Sequence, residues 1–395
     1  MLVYRRKDLP DDPVFPADLE KLGYFINDQD QIRQIANPDE SFRYKINANE
    51  RWNEVHCSAF NDCIRHIVLS RLEALGMETL RLPVGAQTHE KHVPILHSTN
   101  ISAAKRIIVV LGSPDQELGI WTYRSISEKG INVGSMVDFA KAVLQRDKDN
   151  TKEPNGEHDS IALVIANSGQ LIYHCGSGTS MSRSTWFALP VASAAHPPLR
   201  QTYRNVVPGN TNWRKHVRYI FENVLAAGGE FVNANAKIDI IGVEEGGLAA
   251  VEYLGEHSIC FARPLHNKRQ LFNVEEQESA DNGNSSDVEV GQTPGSFAKF
   301  LATRCRAYLL SDKPLEWPIP GTPEYGCNTH SSGEAVNHED AVVSSWQAML
   351  IWLDKLHYDP SHEEVEFIME EVVDDEAWRK WQQREDEEDE EESSK

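Results

Sequence analysis

The chain has 395 residues, 40% of them hydrophobic, and a formal net charge of −22. That length and apolar content suit one large or two ordinary globular domains, and exclude a fibrous or wholly disordered chain. Direct, sequence-independent nucleic-acid binding needs a clustered basic surface that displaces phosphate counterions, and the sequence shows no such cluster.

In chain order, residues 1–19 read as a polar extension. Its start, "MLVYRRKDLPDDP", has basic residues but no apolar block after them, so a secretory leader is not expected. "RRK" at 5–7 is too short to serve as a nuclear signal by itself. "YFINDQDQIRQI" allows a hairpin. In "NERWNEVHCSAFNDCIRHIVLSRLEALG", Phe60, Ile64, Ile67, Val68 and Leu72 recur at helical spacing and Gly76 stands where the helix stops, which predicts a long helix packed on a sheet.

"RIIVVLGSP" and "SIALVIANSG" read as short apolar strands buried on both faces, with a helix, "MVDFAKAVLQ", between them. The polar stretch around 146–158 is expected to be a flexible loop, and "CGSGTSMSRS" a loop without the lysine and spacing of a P-loop. "NTNWRKHVRYIFENVLAAGG" places Trp213, Val217, Ile220, Phe221, Val224 and Leu225 on one helical face, with Asn210 or Thr211 as its cap. "HSICFA" and "CRAYLLSD" are expected strands, and the low-complexity segment at about 273–296 an expected flexible insertion.

"AVVSSWQAMLIWLDKL" predicts a helix with Val342, Trp346, Met349, Leu350 and Leu353 on one face. A C-terminal helix over 357–384 is expected to start at a capping box, Ser361 with Glu364. Residues 385–395 form an acidic tail expected to be disordered. From His362 onward sixteen acidic residues face four basic ones, so the charge is concentrated at this end. The tail has two readings, solubility through self-repulsion or contact with histones and other basic proteins. No run approaches the length and apolarity of a membrane span.

Strands alternating with helices, each strand short and apolar, predict an α/β fold with a mostly parallel sheet covered on both faces over residues 20–356. Within it, "KIDIIGVEEGGLAAVEYL" runs from a β-branched strand through a glycine-flanked turn into a helix. This is the layout of a nucleophile elbow, G-x-S-x-G, with Gly242 and Gly246 at the glycine positions and Glu244 where the serine would stand. Asp312, at the end of a predicted strand, and His330, in a later loop, follow in the chain order of a hydrolase triad, and Gly112 ends a strand where an oxyanion-hole loop would begin.

A carboxylate at the elbow attacking an ester or amide would form an anhydride, a poor intermediate, and loss of the nucleophile costs a serine hydrolase on the order of a million-fold in turnover. Glu244, Asp312 and His330 are therefore expected to be degenerate positions without catalysis. The alternative is an esterase-like α/β-hydrolase using Glu244, or a relocated nucleophile such as Ser168, with Asp312 and His330 assisting. Cys327, His330 and His338 lie close in sequence but lack a fourth metal ligand at a convincing spacing, and neither a metal nor a cofactor is expected. The six cysteines form no C-x-x-C pair and are expected to be mostly reduced thiols.

The segments "KHVPILHSTN", "RIIVVLGSPDQELGIWTYRSI", "GINVGSMVDFAKAVL", "VVPGNTNWRKHV", "KIDIIGVEEGGLAAVEYL" and "RCRAYLLSDKPLEWPIPGTPEYGCNTHSSGE" resemble the fungal Argonaute-binding-protein-two domain over roughly residues 20–356. The resemblance implies an α/β-hydrolase-like fold, found alone in a protein associated with Argonaute in small-RNA-directed heterochromatin formation and at the C-terminus of fungal class II histone deacetylases. It extends to animal cotranscriptional regulators in which a serine can occupy the elbow. It implies a nuclear adaptor, with a cytoplasmic share allowed for, whose partners are Argonaute and chromatin-silencing proteins and whose contact with small RNA runs only through Argonaute.

Overall fold

The computed structural model describes residues 9–150, 160–226, 231–261, 295–319, 326–365 and 367. A hairpin of β1 (Tyr24–Ile26) and β2 (Ile32–Gln34) precedes the long helix α1 (Glu50–Ala74), which Asn49 caps by accepting from the Arg51 amide. The central elements follow as β3 (Met77–Leu82), β4 (Val93–Ser98), β5 (Arg106–Leu111), α2 (Tyr123–Glu128), α3 (Val137–Asn150) and β6 (Ile161–Ile165). Next come β7 (Ile172–His174), β8 (Thr179–Met181), α4 (Arg183–Ala188), α5 (Trp213–Tyr219) with a π-helical continuation at Ile220–Leu225, and β9 (Lys237–Gly242). The last part holds α6 (Glu245–Phe261), α7 (Gly295–Arg304), β10 (Arg306–Leu309), β11 (Pro318–Ile319), β12 (Asn328–Ser331) and α8 (Ala341–Tyr358).

Five strands form the main sheet in the order β3-β4-β6-β5-β9. β4 is antiparallel to both neighbours, while β6, β5 and β9 are mutually parallel, so four of the five strands run the same way. Because side chains alternate along a strand, β5 feeds two cores at once. Ile108 and Val110 pack with Phe60, Ile64, Val68 and Leu72 of α1, with Phe139 and Val143 of α3, and with Val342 and Leu350 of α8. Ile107, Val109 and Leu111 pack with Val217, Phe221 and Val224 from the α5 segment and with Ala249, Ala250 and Tyr253 of α6. The result is a mixed α/β architecture with a helical layer on each face of the sheet. β10, β12 and β11 form a separate three-stranded sheet in which β10 and β12 are parallel.

Several expected elements take another form. "HSICFA" lies mostly inside α6, whose helix runs to Phe261, because a short apolar run fits a buried helix as well as a strand. The helix α3 continues through residue 150, into the stretch expected to be loop from 146. "CGSGTSMSRS" is the turn and second strand of the β7–β8 hairpin followed by the start of α4. Asn212 caps α5 in place of Asn210 or Thr211, since Asn210 is committed to His216. No helix begins at Ser361: its hydroxyl donates to Asp359 and Glu364 is drawn to Arg306, so the capping box does not form. Most of the expected insertion at 273–296, the remainder of the expected C-terminal helix, and the tail at 385–395 lie outside the described residues. Among the described residues no helix is long and apolar enough to cross a membrane.

Candidate functional site

The turn between β9 and α6 is built by close backbone approach. The Val243 amide donates to the Leu111 carbonyl at 2.9 Å, carrying the β5–β9 ladder one step beyond the strand. A Cβ on Gly242 would stand 2.2 Å from the Gly247 Cα, and one on Gly246 would stand 2.2 Å from the Leu111 carbonyl oxygen. Only hydrogen fits at either place. Glu244, between them, adopts φ +50°, the left-handed conformation that costs a side-chain-bearing residue energy and that the sharp strand-to-helix turn imposes. Gly242, Glu244 and Gly246 thus occupy an elbow in the geometric sense.

Glu244 is about one-third exposed at the N-terminus of α6, where free amides favour an anion. Its carboxylate lies 3.6 Å from Nε2 of His338, which sits in the connection between β12 and α8. Glu245, the next residue, accepts from the Ser113 hydroxyl at 3.4 Å. The amide of Ser113, just past Gly112 at the end of β5, is taken by Oε1 of Gln116 at 3.1 Å. A donor in the position where an oxyanion hole draws one is thereby satisfied from within the chain.

The loop that carries Ser113 and Gln116 is anchored by Glu117. This buried carboxylate accepts from Ser182 at 2.5 Å, from Thr185 at 3.1 Å, and from Tyr123 and Arg65. Burial pushes the Glu117 carboxyl up, but the Arg65 charge and the hydrogen bonds from Ser182 and Tyr123 outweigh it and keep the group ionised, below the ordinary range. Burial and the adjacent Glu117 charge push the Tyr123 phenol well above its usual value, so it remains a donor. The cluster draws on α1, the loop after β5, α2 and the start of α4, and no local pattern in the sequence announces it.

His330 and Asp312 lie elsewhere. His330 is on β12, buried, with its Nδ1–H donating to the Glu316 carbonyl at 3.2 Å and its Nε2 facing Glu364 at 4.0 Å. Asp312 follows β10 with an exposed carboxylate whose described partner is Lys313, 3.8 Å away. The imidazole beside the elbow is that of His338, and a catalytic chain of Glu244, Asp312 and His330 has no support in these contacts. Ser168 is 3% exposed, and its Oγ is buried without a hydrogen-bond partner among the described residues. No group of three or more His, Cys, Asp or Glu side chains that could hold a metal occurs among the described residues.

Fold and site together define a mixed α/β protein with an elbow that carries a carboxylate and no hydroxyl or thiol at its turn. The Arb2 domain model matches residues 15–315, and the chain belongs to the Arb2 domain family. It is also similar to the Cotranscriptional regulator ARB2A homolog of Xenopus tropicalis, at 29% identity over 135 residues, which is 33% of this chain and 32% of that protein. The alignment therefore spans about a third of each chain. No solved structure matches.

Proposed function

We propose that this protein is a non-catalytic, α/β-hydrolase-like interaction module that acts as a nuclear adaptor in chromatin-linked gene regulation. A main sheet with its second strand reversed, a crossover that sets β6 beside β4, and a tight elbow after the fifth strand is the arrangement expected of a hydrolase scaffold. The observation that carries the reading is Glu244 at φ +50° in the elbow, with no nucleophilic hydroxyl or thiol at the turn and the neighbouring Ser113 amide already bonded to Gln116. The regulatory role rests on membership of the Arb2 family and on the name of the Xenopus relative.

The finer proposal makes Argonaute and chromatin-silencing factors, including deacetylase complexes, the partners, with small RNA reached through Argonaute. Purification of tagged protein from nuclei followed by mass spectrometry tests it: recovery of these factors is expected, and their absence rejects it. The acidic tail adds a contact for histones, and truncation at Arg384 that leaves histone pulldown unchanged removes that part. A second reading, a hydrolase using the Glu244 carboxylate, draws on the nearby His338 imidazole. It still meets the anhydride problem, and it is tested below.

A further inference from the structure

Beyond α8, residues 359–365 and 367 cross back over α7 and the β10–β12 pair without regular structure. Arg304, at the end of α7, donates to the carbonyls of Pro360 at 3.0 Å and His362 at 2.7 Å. The Glu364 amide donates to the Thr303 carbonyl at 3.0 Å. The Glu364 carboxylate, 7% exposed, accepts from Arg306 Nε at 2.9 Å and from Asn328 Nδ2 at 3.0 Å. Burial would raise this carboxyl, but the His330 ring, Arg306 and Asn328 bring it down to about 2.

Asn328 then reads the main chain: Nδ2 also donates to the Val365 carbonyl at 2.9 Å, and Oδ1 accepts from the Phe367 amide at 3.1 Å. A side-chain amide that pairs with the C=O of one residue and the N–H two residues on holds an extended peptide as an adjoining strand would. The Phe367 ring meets His330 edge-on, centroids 5.2 Å apart. Arg306 is fixed for its task, its guanidinium 3.8 Å above the Trp352 ring. Arg306 and Asn328 hold the carboxylate, Arg304 and Asn328 the backbone, and His330 the aromatic ring, which is how a groove recognises a linear motif.

We propose that Arg304, Arg306, Asn328 and His330 form a peptide-binding groove for an extended acidic segment with an aromatic residue three positions after a glutamate. The chain's own Glu364, Val365 and Phe367 occupy the groove in cis, and a segment of the same chemistry from a partner protein exchanges with it. The occupant is argued from charge and shape: the groove supplies two guanidiniums and an amide, and the seated segment answers with a buried carboxylate, a paired backbone and a ring. A tethered strap competes at an effective concentration on the order of millimolar, so the intact chain screens out weak ligands and admits one only when the strap is displaced.

The test uses the full chain and a fluorescein-labelled peptide of residues 359–370, followed by fluorescence anisotropy. The E364A/F367A variant weakens the cis strap, and it is expected to bind the peptide at least about tenfold more tightly than the parent chain, by removal of the tethered competitor. Adding N328A to that variant abolishes the gain, and a peptide with alanine at both the glutamate and the phenylalanine positions fails to bind. A folded E364A/F367A protein, verified by circular dichroism, that binds no peptide overturns the proposal. If the variant does not fold, deuterium exchange on the parent chain decides: millimolar peptide that leaves the exchange of residues 359–367 unchanged also overturns it. Strap exchange between two copies, seen as a dimer in light scattering, assigns the groove to a second copy and overturns the partner reading.

Discussion

Adding one methyl group at Gly246 probes whether the elbow is held by packing. In Gly246→Ala the new Cβ stands 2.2 Å from the Leu111 carbonyl oxygen and 2.6 Å from that of Gly112. Both are backbone atoms, and β5 is locked between β6 and β9, so no flexible side chain can absorb the clash. Overpacking costs about 1–3 kcal/mol, and a contact this short against main chain puts Gly246→Ala near about 3 kcal/mol. Glu244→Gly carries a different balance. The left-handed conformation costs a side-chain-bearing residue about 1–2 kcal/mol, which glycine escapes. The freer unfolded chain takes back about 0.4–1 kcal/mol. The exposed pair with His338 contributes well under about 1 kcal/mol. Glu244→Gly should therefore be neutral or stabilising by up to about 1 kcal/mol. Urea denaturation of full-length variants followed by far-ultraviolet circular dichroism, with equal slopes, gives both differences. A Gly246→Ala protein within about 0.5 kcal/mol of the parent, the range of an ordinary surface substitution, would refute the packing argument. Glu244→Gly losing more than about 2 kcal/mol would give Glu244 a structural role that these contacts do not contain.

His216 donates from Nδ1 to Asn210 at 2.6 Å and accepts the Asn167 amide on Nε2 at 3.1 Å, and burial brings its pKa from 6.5 down to about 3. Below 6.5 the unfolded chain takes a proton that the folded chain refuses until about 3, so stability falls by about 1.4 kcal/mol per pH unit across that window. Between pH 7.5 and pH 5 the parent should lose about 2 kcal/mol more than His216→Gln, and parallel pH profiles would contradict this. Arg106 is fully buried between Asp239 at 2.6 Å and Asp354 at 2.7 Å, so Asp354→Ala should cost about 3 kcal/mol by leaving buried positive charge short of a partner. A loss under about 1 kcal/mol would place that pair in the class of surface ion pairs. Against activated esters and alkyl halides the parent should show no turnover above background. Turnover abolished by Glu244→Ala or Ser168→Ala would restore the hydrolase reading.

Features written in local patterns were legible in the sequence. The helical spacing of Phe60, Ile64, Val68 and Leu72, the apolar strands around Ile108 and Leu163, and the glycines that flank Glu244 all follow from neighbours in the chain. "HSICFA" was misread because six apolar-rich residues carry too little periodicity to separate the last turns of α6 from a strand. Ser361 and Glu364 matched a capping box by spacing, yet the Glu364 carboxylate gains more from Arg306 and Asn328 than a helix N-terminus would give it.

The amino-acid sequence by itself determined the alternation of strands and helices, the elbow and the lack of a hydroxyl or thiol in its turn, because periodicity, turn geometry and side-chain chemistry are properties of short stretches. Tertiary structure alone decided which groups meet. His330 and His338 stand eight residues apart, and only the pairing of β12 with β10 sends the first toward Glu364 and leaves the second beside Glu244. Arg106 finds its carboxylates 133 and 248 positions away, and Glu117, in the loop after β5, gathers partners from α1, α2 and the start of α4. Such contacts form where packing closes the chain on itself, and the burial that makes them strong is a property of the whole fold.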